Sequence, residues 1–506
     1  MNINKKPELN CKTVAFLTLG CKVNSYETEA MQKIFVDAGF QVVEFSQCSD
    51  VYVVNTCTVT NIADRKSRQM LHKARKMNEA AVVVAVGCYV QTAGEVLVQD
   101  EAIDIIIGNN KKKEIIRILD EYYESKETAA HKNTGMENTQ SLNGPETDSG
   151  LYAEQHTVPA LGGNIIDIGS ERSYEDLNIE SVAEKTRAYI KIQDGCNQFC
   201  SYCIIPYARG RVRSRDEKSI LGEVKHLVSK GYKEIVLTGI HLSSYGIDLE
   251  NQDQKDGSPA MESLEPDSFV GGAAAGKQNR LLQLILKLSR IEELKRIRLG
   301  SLEPRIITEE FAQTLASNTK ICPHFHLSLQ SGCDETLKRM NRRYSAKEFY
   351  EKCLLLRKYF DNPAITTDII VGFPGETDEE FEETRRFLRK VSFAQMHIFK
   401  YSVRKGTRAE HMPDQVREET KTERSNILIA LEACMAEEYR SGFLGKTENI
   451  LIEESMSMDG QIYQIGHNER YLKLAVKYSK DLNNRIIKGK VTGYLEKEIM
   501  FCEIMD

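Results

Sequence analysis

The sequence predicts an α/β protein with three folded regions: an N-terminal doubly wound parallel sheet, a central partial (βα)6 barrel and a small C-terminal all-β barrel. Through the first two regions, short apolar runs rich in β-branched residues alternate with helix-like stretches, as in parallel sheets. After a helical stretch at 420–439, residues 441–506 hold only short strand-like runs between polar turns, which indicates a small barrel. A length of 506 residues allows about three domains.

In the N-terminal region, three apolar runs each end close to a cysteine. The region has four apolar runs, at residues 14–19, 50–55, 81–86 and 103–107. Helix-like stretches at 25–38 and 61–77 lie between them. Cys21, Cys57 and Cys88 follow the first three runs, and ligands of doubly wound sheets bind outside the carboxyl ends of the strands. A lone cysteine is usually a small buried hydrophobe. Three at equivalent positions instead predict a three-thiolate metal site at one edge of the sheet.

The central region repeats the strand–helix alternation six times. Its strand-like runs are 188–192, 235–238, 297–299, 325–329, 365–371 and 396–401, with helices such as 281–288 and 346–359 between them. Six such units predict an open version of the (βα)8 barrel, whose chemistry takes place at the carboxyl ends of the strands.

A second cysteine motif follows the first of these six runs. Cys196, Cys200 and Cys203 are separated by three and then two residues, which suits three irons of a [4Fe–4S] cube. Neither a ferredoxin-type run nor a structural zinc site fits, because each needs four ligands and no His or Cys lies within twenty residues after Cys203. One iron is therefore predicted to stay open to a small molecule.

These motifs carry a family resemblance. The Cys196–Cys203 spacing is similar to that of the radical S-adenosylmethionine (SAM) enzymes, whose open iron chelates SAM. Residues 18–24, 55–60 and 87–91 resemble three signature segments of the methylthiotransferase N-terminal domain. Residues 211–215 and 301–304 look most like the MtaB type of that family. The resemblance implies two [4Fe–4S] clusters, one on Cys21, Cys57 and Cys88 and the other on Cys196, Cys200 and Cys203.

The resemblance also implies SAM contacts at the carboxyl face of the central barrel. Tyr202 resembles the aromatic residue that flanks the SAM adenine in the family. The polar or small residues expected to contact SAM or the substrate at the barrel face are Gly239, Ser301, Glu303, Gln330 and Asp368. Each of these alone is more often a loop or cap residue, and none is assigned as a general acid or base.

Two basic segments are predicted to bind RNA. Arg209, Arg211, Arg213 and Arg215 alternate with small or apolar residues, so an extended segment would present them on one face, for RNA phosphates or the SAM carboxylate. A solvated strand edge is the alternative. Residues 466–474 resemble the TRAM domain, an RNA-binding module, and the segment 467–490 is basic with Tyr471 and Tyr478 interleaved. The residues chosen there are Arg470, Lys473 and Lys477.

Charge and composition complete the domain prediction. Residues 120–180 hold thirteen acidic and three basic residues, and 248–277 hold seven and two, so the rest of the chain carries a net charge of +9. A basic folded body suits an anionic partner. We predict domains at 1–120, 185–440 and 441–506, an acidic linker at 121–184 and a flexible insertion at 248–277. No apolar stretch approaches a membrane span or a signal peptide, and the thirteen cysteines indicate reduced thiols, so a cytoplasmic location is expected.

The resemblance implies one activity and leaves alternatives. The MtaB type adds a methylthio group to C2 of N6-threonylcarbamoyladenosine at position 37 of tRNA. Its partners would be the tRNA anticodon arm, SAM, a reductant such as flavodoxin or ferredoxin, and a sulfur donor, with no membrane. The related MiaB type acts on isopentenyladenosine at the same position, and the RimO type acts on a ribosomal protein. An iron–sulfur RNA-binding or electron-transfer protein without catalysis is the remaining alternative.

Overall fold

The structure is a computed structural model that describes residues 12–134, 164–179, 186–249 and 279–505. These residues form two compact units. The N-terminal unit contains the described residues up to Ile168 together with Glu175–Leu177. The C-terminal unit contains Gly169–Tyr174 and the described residues from Asn178 onward.

The N-terminal unit is a parallel five-stranded sheet flanked by helices. Its strands are β1 (Thr13–Thr18), β2 (Gln41–Val43), β3 (Val51–Thr56), β4 (Val82–Gly87) and β5 (Ile105–Ile107). Its helices are α1 (Lys22–Asp37), α2 (Asn61–Met77), α3 (Cys88–Leu97) and α4 (Ile115–Thr134). The strand order β2-β1-β3-β4-β5 confirms the predicted doubly wound topology. Both β3 and β4 are buried along their whole length, as their β-branched sequences require.

The barrel of the C-terminal unit contains six parallel strands and a short antiparallel edge strand, β7 (Arg213–Ser214). The six are β6 (Arg187–Asp194), β8 (Glu234–Gly239), β9 (Arg296–Leu299), β10 (His324–His326), β11 (Ala364–Val371) and β12 (Gln395–Lys400). Strands β6, β8 and β9 belong to one sheet, and β10 to β12 form another. Among the described residues, isolated bridges such as Leu302 with Leu327 join the two sheets. This is the partial (βα)6 barrel that the sequence predicts.

Helices cover the outside of this barrel. They are α5 (Ile205–Arg209), α6 (Glu217–Ser229), α7 (Arg280–Ser289), α8 (Glu309–Ala316), α9 (Asp334–Arg339), α10 (Ala346–Tyr359), α11 (Asp378–Val391) and α12 (Glu418–Ser441). Helices α10 and α11 begin with capping boxes, Ser345 with Glu348 and Thr377 with Glu380, which is why both begin sharply. The outward face of the strands packs on the helices in one core that includes Ile190, Phe325 and Leu388.

Residues after α12 form a closed five-stranded barrel, as predicted. Its strands are β13 (Thr447–Met458), β14 (Gln461–His467), β15 (Lys473–Lys477), β16 (Ile486–Glu496) and β17 (Ile499–Ile504), in the order β13-β14-β15-β17-β16. Strand β14 was not predicted from the sequence, because its apolar residues are interrupted by Gln464 and Gly466. The core of this small barrel includes Ile450, Leu474 and Met500.

This small barrel contacts the amino-terminal ends of the central strands. Arg296 donates to the carbonyl oxygens of His467 and Asn449, at 3.0 and 2.9 Å. The Tyr471 ring stacks on His467 with 4.4 Å between ring centroids and receives the guanidinium of Arg298. The C-terminal barrel therefore covers the end of the central barrel opposite the predicted catalytic face.

Parts of the predicted linker and insertion lie outside the described residues, namely 135–163, 180–185 and 250–278. The described parts are ordered differently from the prediction. Helix α4 continues to Thr134, past the predicted linker start at 121. Ile168 and Leu177 are buried, and Asp248 accepts a hydrogen bond of 2.8 Å from the Ser214 amide. Among the described helices, none is long and apolar enough to cross a membrane.

Candidate active site

The first three-thiol site lies in the loop that follows β6. Cys196, Cys200 and Cys203 all belong to this loop, and burial, followed by the nearby Cys200, raises the pKa of Cys196 and that of Cys203, the latter to about 12. The Cys203 amide donates to the Cys200 carbonyl at 2.9 Å. Three thiols gathered in one loop fit three irons of a [4Fe–4S] cube, and metal binding would have to displace their protons.

Backbone contacts determine the path of this thiol loop. Gly195 has a φ of +69°, and a Cβ at this position would lie 1.8 Å from the Arg211 carbonyl oxygen, so only glycine fits. The buried Gln193 side chain donates to the carbonyl oxygens of Asp194 and Gly195, at 2.7 and 2.6 Å. Its Oε1 accepts from the His241 amide at 2.8 Å. Gln193 therefore links the thiol loop to the carboxyl end of β8.

Arg342 supplies a positive charge beside the thiols. Burial lowers the pKa of Arg342, but the neighbouring Cys200, Tyr202 and Tyr344 raise it, and the net shift is upward. Its guanidinium lies 6.0 Å from the centroid of the Tyr202 ring, and its Nε is buried with no hydrogen-bond partner among the described residues. A permanent cation with a spare donor suits a carboxylate ligand such as that of SAM, or the charge of an iron–sulfur cluster. The sequence analysis missed this residue, because an arginine in a loop carries no spacing signal.

His241 is a second residue that the sequence analysis missed. Burial, with the nearby Arg342 and Arg305 charges, lowers the pKa of His241 to about 4. Its Nδ1 lies 2.6 Å from the Ser244 hydroxyl, and its Nε2 is buried with no partner among the described residues. The imidazole is therefore neutral at pH 7. Its position just after β8, at the barrel face where chemistry is expected, is the signal that could have identified it.

Most of the residues predicted to contact SAM lie at the carboxyl face of the central barrel. Tyr202 packs edge-on against Phe373, and the predicted Gly239 lies against Gln193, whose Oε1 would be 2.9 Å from a Cβ there. Glu303 is buried and accepts from Arg305 at 2.8 Å, whereas Ser301 is exposed. Burial raises the pKa of Tyr344, and the nearby Cys200 and Glu303 raise it further. The thiol loop and the loop after β9 therefore both lie close to Tyr344.

Gln330 lies in the loop after β10, beside Asp368 of β11. The Gln330 amide donates to the Asp368 carbonyl at 2.9 Å. The Asp368 carboxylate lies 3.3 Å from His326 Nε2, and Asp368 is in register with His397. His326, Asp368 and His397 each place one nitrogen or carboxylate oxygen within 4.8 Å of those of the other two. They lie on the face of this sheet that points away from the helices. The SAM contacts of all six predicted residues stay a prediction.

The second three-thiol site lies at the carboxyl edge of the N-terminal sheet. Cys21 follows β1 and caps α1, Cys57 follows β3, and Cys88 follows β4 and begins α3. In the order β2-β1-β3-β4-β5, β1 and β3 flank the topological switch point, where ligands bind in this fold. A Cβ at Gly20 would lie 2.9 Å from the Cys57 sulfur, so the chain before Cys21 runs directly against Cys57. This donor set also fits a [4Fe–4S] cube with one open iron.

Buried polar side chains support the second site. The Asn109 amide donates to the Cys88 sulfur at 3.6 Å, and its Oδ1 accepts from Lys112 at 2.6 Å. Lys112 forms an ion pair with Glu27 at 3.2 Å, and neither side chain is exposed. The amide of Asn24 donates to the carbonyl oxygens of Leu19 and Thr56, which joins the first two cysteine loops. Such contacts orient metal ligands and tune the metal.

The structure corrects the predicted row of arginines. Arg209 ends α5, and Arg209, Arg213 and Arg215 are fully buried, so they do not share an exposed face with Arg211. Arg209 lies 3.1 Å from Asp194, and Arg215 pairs with Glu223. We therefore no longer assign these three arginines to RNA. Arg211 is exposed, with its guanidinium over the Phe199 ring, and its RNA contact stays a prediction.

The C-terminal residues chosen for RNA also separate. Arg470 donates to the carbonyl oxygens of Asn362 and Asp361, at 3.0 and 2.8 Å, so this guanidinium attaches the small barrel to the central one. Tyr471 stacks within the same contact. Lys473 is half-buried and lies 3.7 Å from Glu454, whereas Lys477 is exposed. Lys473 and Lys477 thus keep side chains at the surface, and their RNA contacts stay a prediction.

Comparisons with known proteins agree with this architecture. Residues 190–388 match the radical SAM superfamily, and residues 13–108 match the uncharacterized protein family UPF0004. A threonylcarbamoyladenosine tRNA methylthiotransferase MtaB of Bacillus subtilis is 38% identical over 98% of this chain and 97% of its own length. A tRNA-2-methylthio-N(6)-dimethylallyladenosine synthase of Finegoldia magna is 29% identical over 95% of this chain and 92% of its own length.

Similarity to solved structures is low. The radical SAM methyltransferase TsrM from Kitasatospora setae, with cobalamin and a [4Fe–4S] cluster bound, is 16% identical, with a TM-score of 0.47 over 77% of this chain and 72% of TsrM. The near full-length relatives and the radical SAM match carry the assignment, and with it [4Fe–4S] clusters and SAM as cofactors. Both three-thiol sites fit these cofactors. The chain therefore belongs to the MtaB-type family of radical SAM methylthiotransferases.

Proposed function

We propose that this protein adds a methylthio group to C2 of N6-threonylcarbamoyladenosine at position 37 of tRNA. The observation that carries the proposal is the presence of two separate three-thiol sites, one after the first barrel strand and one at the switch point of the N-terminal sheet. A protein that only cleaved SAM would need the first site alone. The second site suits the holding of sulfur on an open iron. The name of the 38% identical relative supports the same reaction.

The target atom explains why radical chemistry is required. Adenine C2 carries an unactivated C–H bond, which acid–base groups cannot remove at neutral pH. When bound, SAM and the cluster held by Cys196, Cys200 and Cys203 supply radical chemistry. The chain supplies the environment: Gln193 and Gly195 fix the loop, and Arg342 offers a buried cation. His241 stays neutral beside it, and no described residue is needed as a general base.

The lumen of the barrel favours a polar substituent on the target base. His326, Asp368 and His397 lie together on the inner face of β10 to β12, and His326 Nδ1 lies 3.0 Å from the Thr366 hydroxyl. Threonylcarbamoyl carries a hydroxyl and a carboxylate that such side chains can bind, whereas an isopentenyl group offers them no hydrogen-bonding atom. This observation supports the MtaB type over the MiaB type.

The remaining partners form part of the proposal. All twelve described cysteines are free, which agrees with a reducing compartment such as the cytoplasm. The reaction also needs an electron donor such as flavodoxin or ferredoxin, and a sulfur donor. The target base would enter from a single-stranded anticodon loop, because stacked bases hide C2.

Nucleoside mass spectrometry tests the proposal. The gene is expressed in a strain that lacks methylthiotransferases, and tRNA nucleosides and ribosomal proteins are analysed. We expect the 2-methylthio derivative of N6-threonylcarbamoyladenosine, and none from the Cys57→Ala variant. Methylthiolation of isopentenyladenosine alone would establish the MiaB type. A methylthiolated ribosomal protein without modified tRNA would establish the RimO type, and no product with SAM cleavage intact would refute all three.

A further inference from the structure

Helix α2 of the N-terminal unit presents a row of basic side chains that no part of the catalytic site uses. We name Arg65, Arg68, His72, Lys73 and Lys76 the α2 stripe. They occupy positions i, i+3, i+7, i+8 and i+11, which share one face of a helix. The opposite face carries Ser67, Leu71 and Ala74, which are buried against the sheet. All five members of the stripe are exposed, and they line one shallow groove together with Gln69.

The charge of the stripe is only partly neutralised. The helix contains six Lys and Arg residues and a single acid, Asp64, which accepts a hydrogen bond from Thr58. Within the stripe, His72 lies 2.9 Å from Asp100, and Arg68 donates to the Tyr89 hydroxyl at 2.7 Å. Arg65, Lys73 and Lys76 form no ion pair with any described residue. Three cations on one face are thus left for an external anion.

The stripe starts at the cysteine edge of the sheet. Helix α2 begins four residues after Cys57, at the carboxyl end of β3, and runs toward the opposite edge. The eleven steps along the helix from Arg65 to Lys76 span about 16 Å at the helical rise. Two apolar side chains lie exposed between Cys57 and the stripe, Val59 at 53% and Ile62 at 69%. An anion that followed the stripe would therefore reach the thiol site of this unit.

We propose that the α2 stripe binds the phosphate backbone of the substrate tRNA. This inference rests on the proposed function. A straight row of cations on one helix matches a linear polyanion, because successive phosphates of a strand are spaced closely enough to meet successive turns. A small acidic electron carrier is a less suitable partner, since protein interfaces concentrate apolar contacts at the centre of a patch and charges at the rim. The groove of the stripe is lined by polar residues throughout.

Charge reversal tests the inference on the full-length, cluster-loaded protein. The stripe variant is Arg65→Glu, Lys73→Glu and Lys76→Glu, and the control is Arg385→Glu, Arg386→Glu and Lys390→Glu on exposed positions of α11. Both change the net charge equally. Binding of a fluorescent tRNA transcript is measured by anisotropy at several salt concentrations. Iron content and tRNA-independent SAM cleavage show whether each variant is intact.

We expect the stripe variant to bind tRNA at least ~10-fold more weakly than the control, with the slope of log K against log salt reduced by about 2 to 3. Iron content and SAM cleavage should match wild type. Equal tRNA binding by the stripe variant and the control would overturn the inference and leave the proposed function intact. Normal tRNA binding with slower reduction by flavodoxin would also overturn it, in favour of an acidic protein. Failure of the wild type itself to bind tRNA would instead contradict the proposed function.

Discussion

The two three-thiol sites reach the same donor set by different routes. In the C-terminal unit, one loop of nine residues from Gly195 to Cys203 supplies all three thiols. In the N-terminal unit, the thiols come from three loops, with thirty or more residues between one cysteine and the next, and the parallel sheet brings them together. The first site is thus a local property of the chain. The second depends on the whole fold of its unit.

The surroundings of the two sites differ in charge as well. The three-thiol site of the C-terminal unit has Arg342 beside its thiols and the neutral His241 nearby. The N-terminal site has an amide, Asn109, next to a sulfur, with the buried Lys112–Glu27 pair behind it. The first environment therefore suits a charged ligand, whereas the second adjusts the cluster itself.

Removing one thiol from each site should separate the two functions most strongly. Cys200→Ala should reduce SAM cleavage by about 10³-fold or more, equivalent to about 4 kcal/mol of activation free energy. Cys57→Ala should retain SAM cleavage but stop methylthiolation. Anaerobic assays of 5′-deoxyadenosine and of modified nucleoside measure both. Methylthiolation by either variant would show that the two sites do not have separate roles.

The fold dependence of the N-terminal site can be tested at its buried ion pair. Lys112→Met removes the cation 3.2 Å from the Glu27 carboxylate, and we expect a loss of about 3–5 kcal/mol in the free energy of unfolding. The double variant Lys112→Met/Glu27→Gln should recover much of it. Lys33→Met, at the exposed pair with Asp37, should cost less than ~1 kcal/mol. Urea unfolding gives the three values, and similar costs for the buried and exposed pairs would contradict the prediction.

A pH dependence should belong to the C-terminal unit. His241 binds its proton with a pKa of about 4 when folded and about 6.5 when unfolded, so the unfolded chain takes up more protons between these values. Stability should therefore fall as the pH falls through this window, by about 2 kcal/mol at pH 5. Urea unfolding of the cluster-free protein at pH 7 and pH 5 measures the loss. His241→Asn should remove that part of it and His226→Asn should not; an unchanged loss in His241→Asn would exclude His241 as the source.

The smallest expected effect concerns the tuning of the N-terminal cluster. Asn109→Ala removes an N–H donor from the Cys88 sulfur, which should lower the midpoint potential by an amount on the order of tens of millivolts. Redox titration by electron paramagnetic resonance, in a Cys200→Ala background that holds only this cluster, measures the shift. Asn61→Ala serves as the control. A potential unchanged within error would show that the Asn109 contact does not act on the cluster.

The predictability of the two sites from sequence follows their construction. The loop of Cys196, Cys200 and Cys203 was visible from spacing alone, and the N-terminal thiols were found because each follows an apolar strand. Arg342 and Asn109 were missed, because their roles depend on three-dimensional neighbours, and His241 was missed although it follows a barrel strand closely. The predicted row of arginines is wrong for a related reason. The alternation at 209–215 predicts an extended segment, but Arg209 ends a helix and three of the side chains have buried carboxylate partners nearby.

The fold was predicted more fully than the site. Apolar β-branched runs identified four of the five strands of the N-terminal sheet and the six parallel strands of the central barrel, because buried parallel strands are rich in such residues. The short strands β2 and β7 were not predicted. Strand β14 was not predicted, because a strand with alternating polar positions carries a weaker sequence signal. The position of Tyr471 could not be predicted, because the contact between the two barrels leaves no signal in the sequence. The basic segment 467–490 was correctly seen as charged, but the structure places Arg470 at an internal contact.

The way the small barrel attaches affects how deletion experiments should be designed. Glu234 lies at the base of the central barrel among Arg187, Arg298 and Arg296, and all three arginines also bind the small barrel directly. A chain cut after α12 would leave this charge cluster open to water and remove the aromatic cover that Tyr471 provides. Lost activity in such a truncation would therefore report damage to the catalytic scaffold as much as loss of an RNA-binding module. Point changes on the outer surface of the small barrel are the cleaner tool.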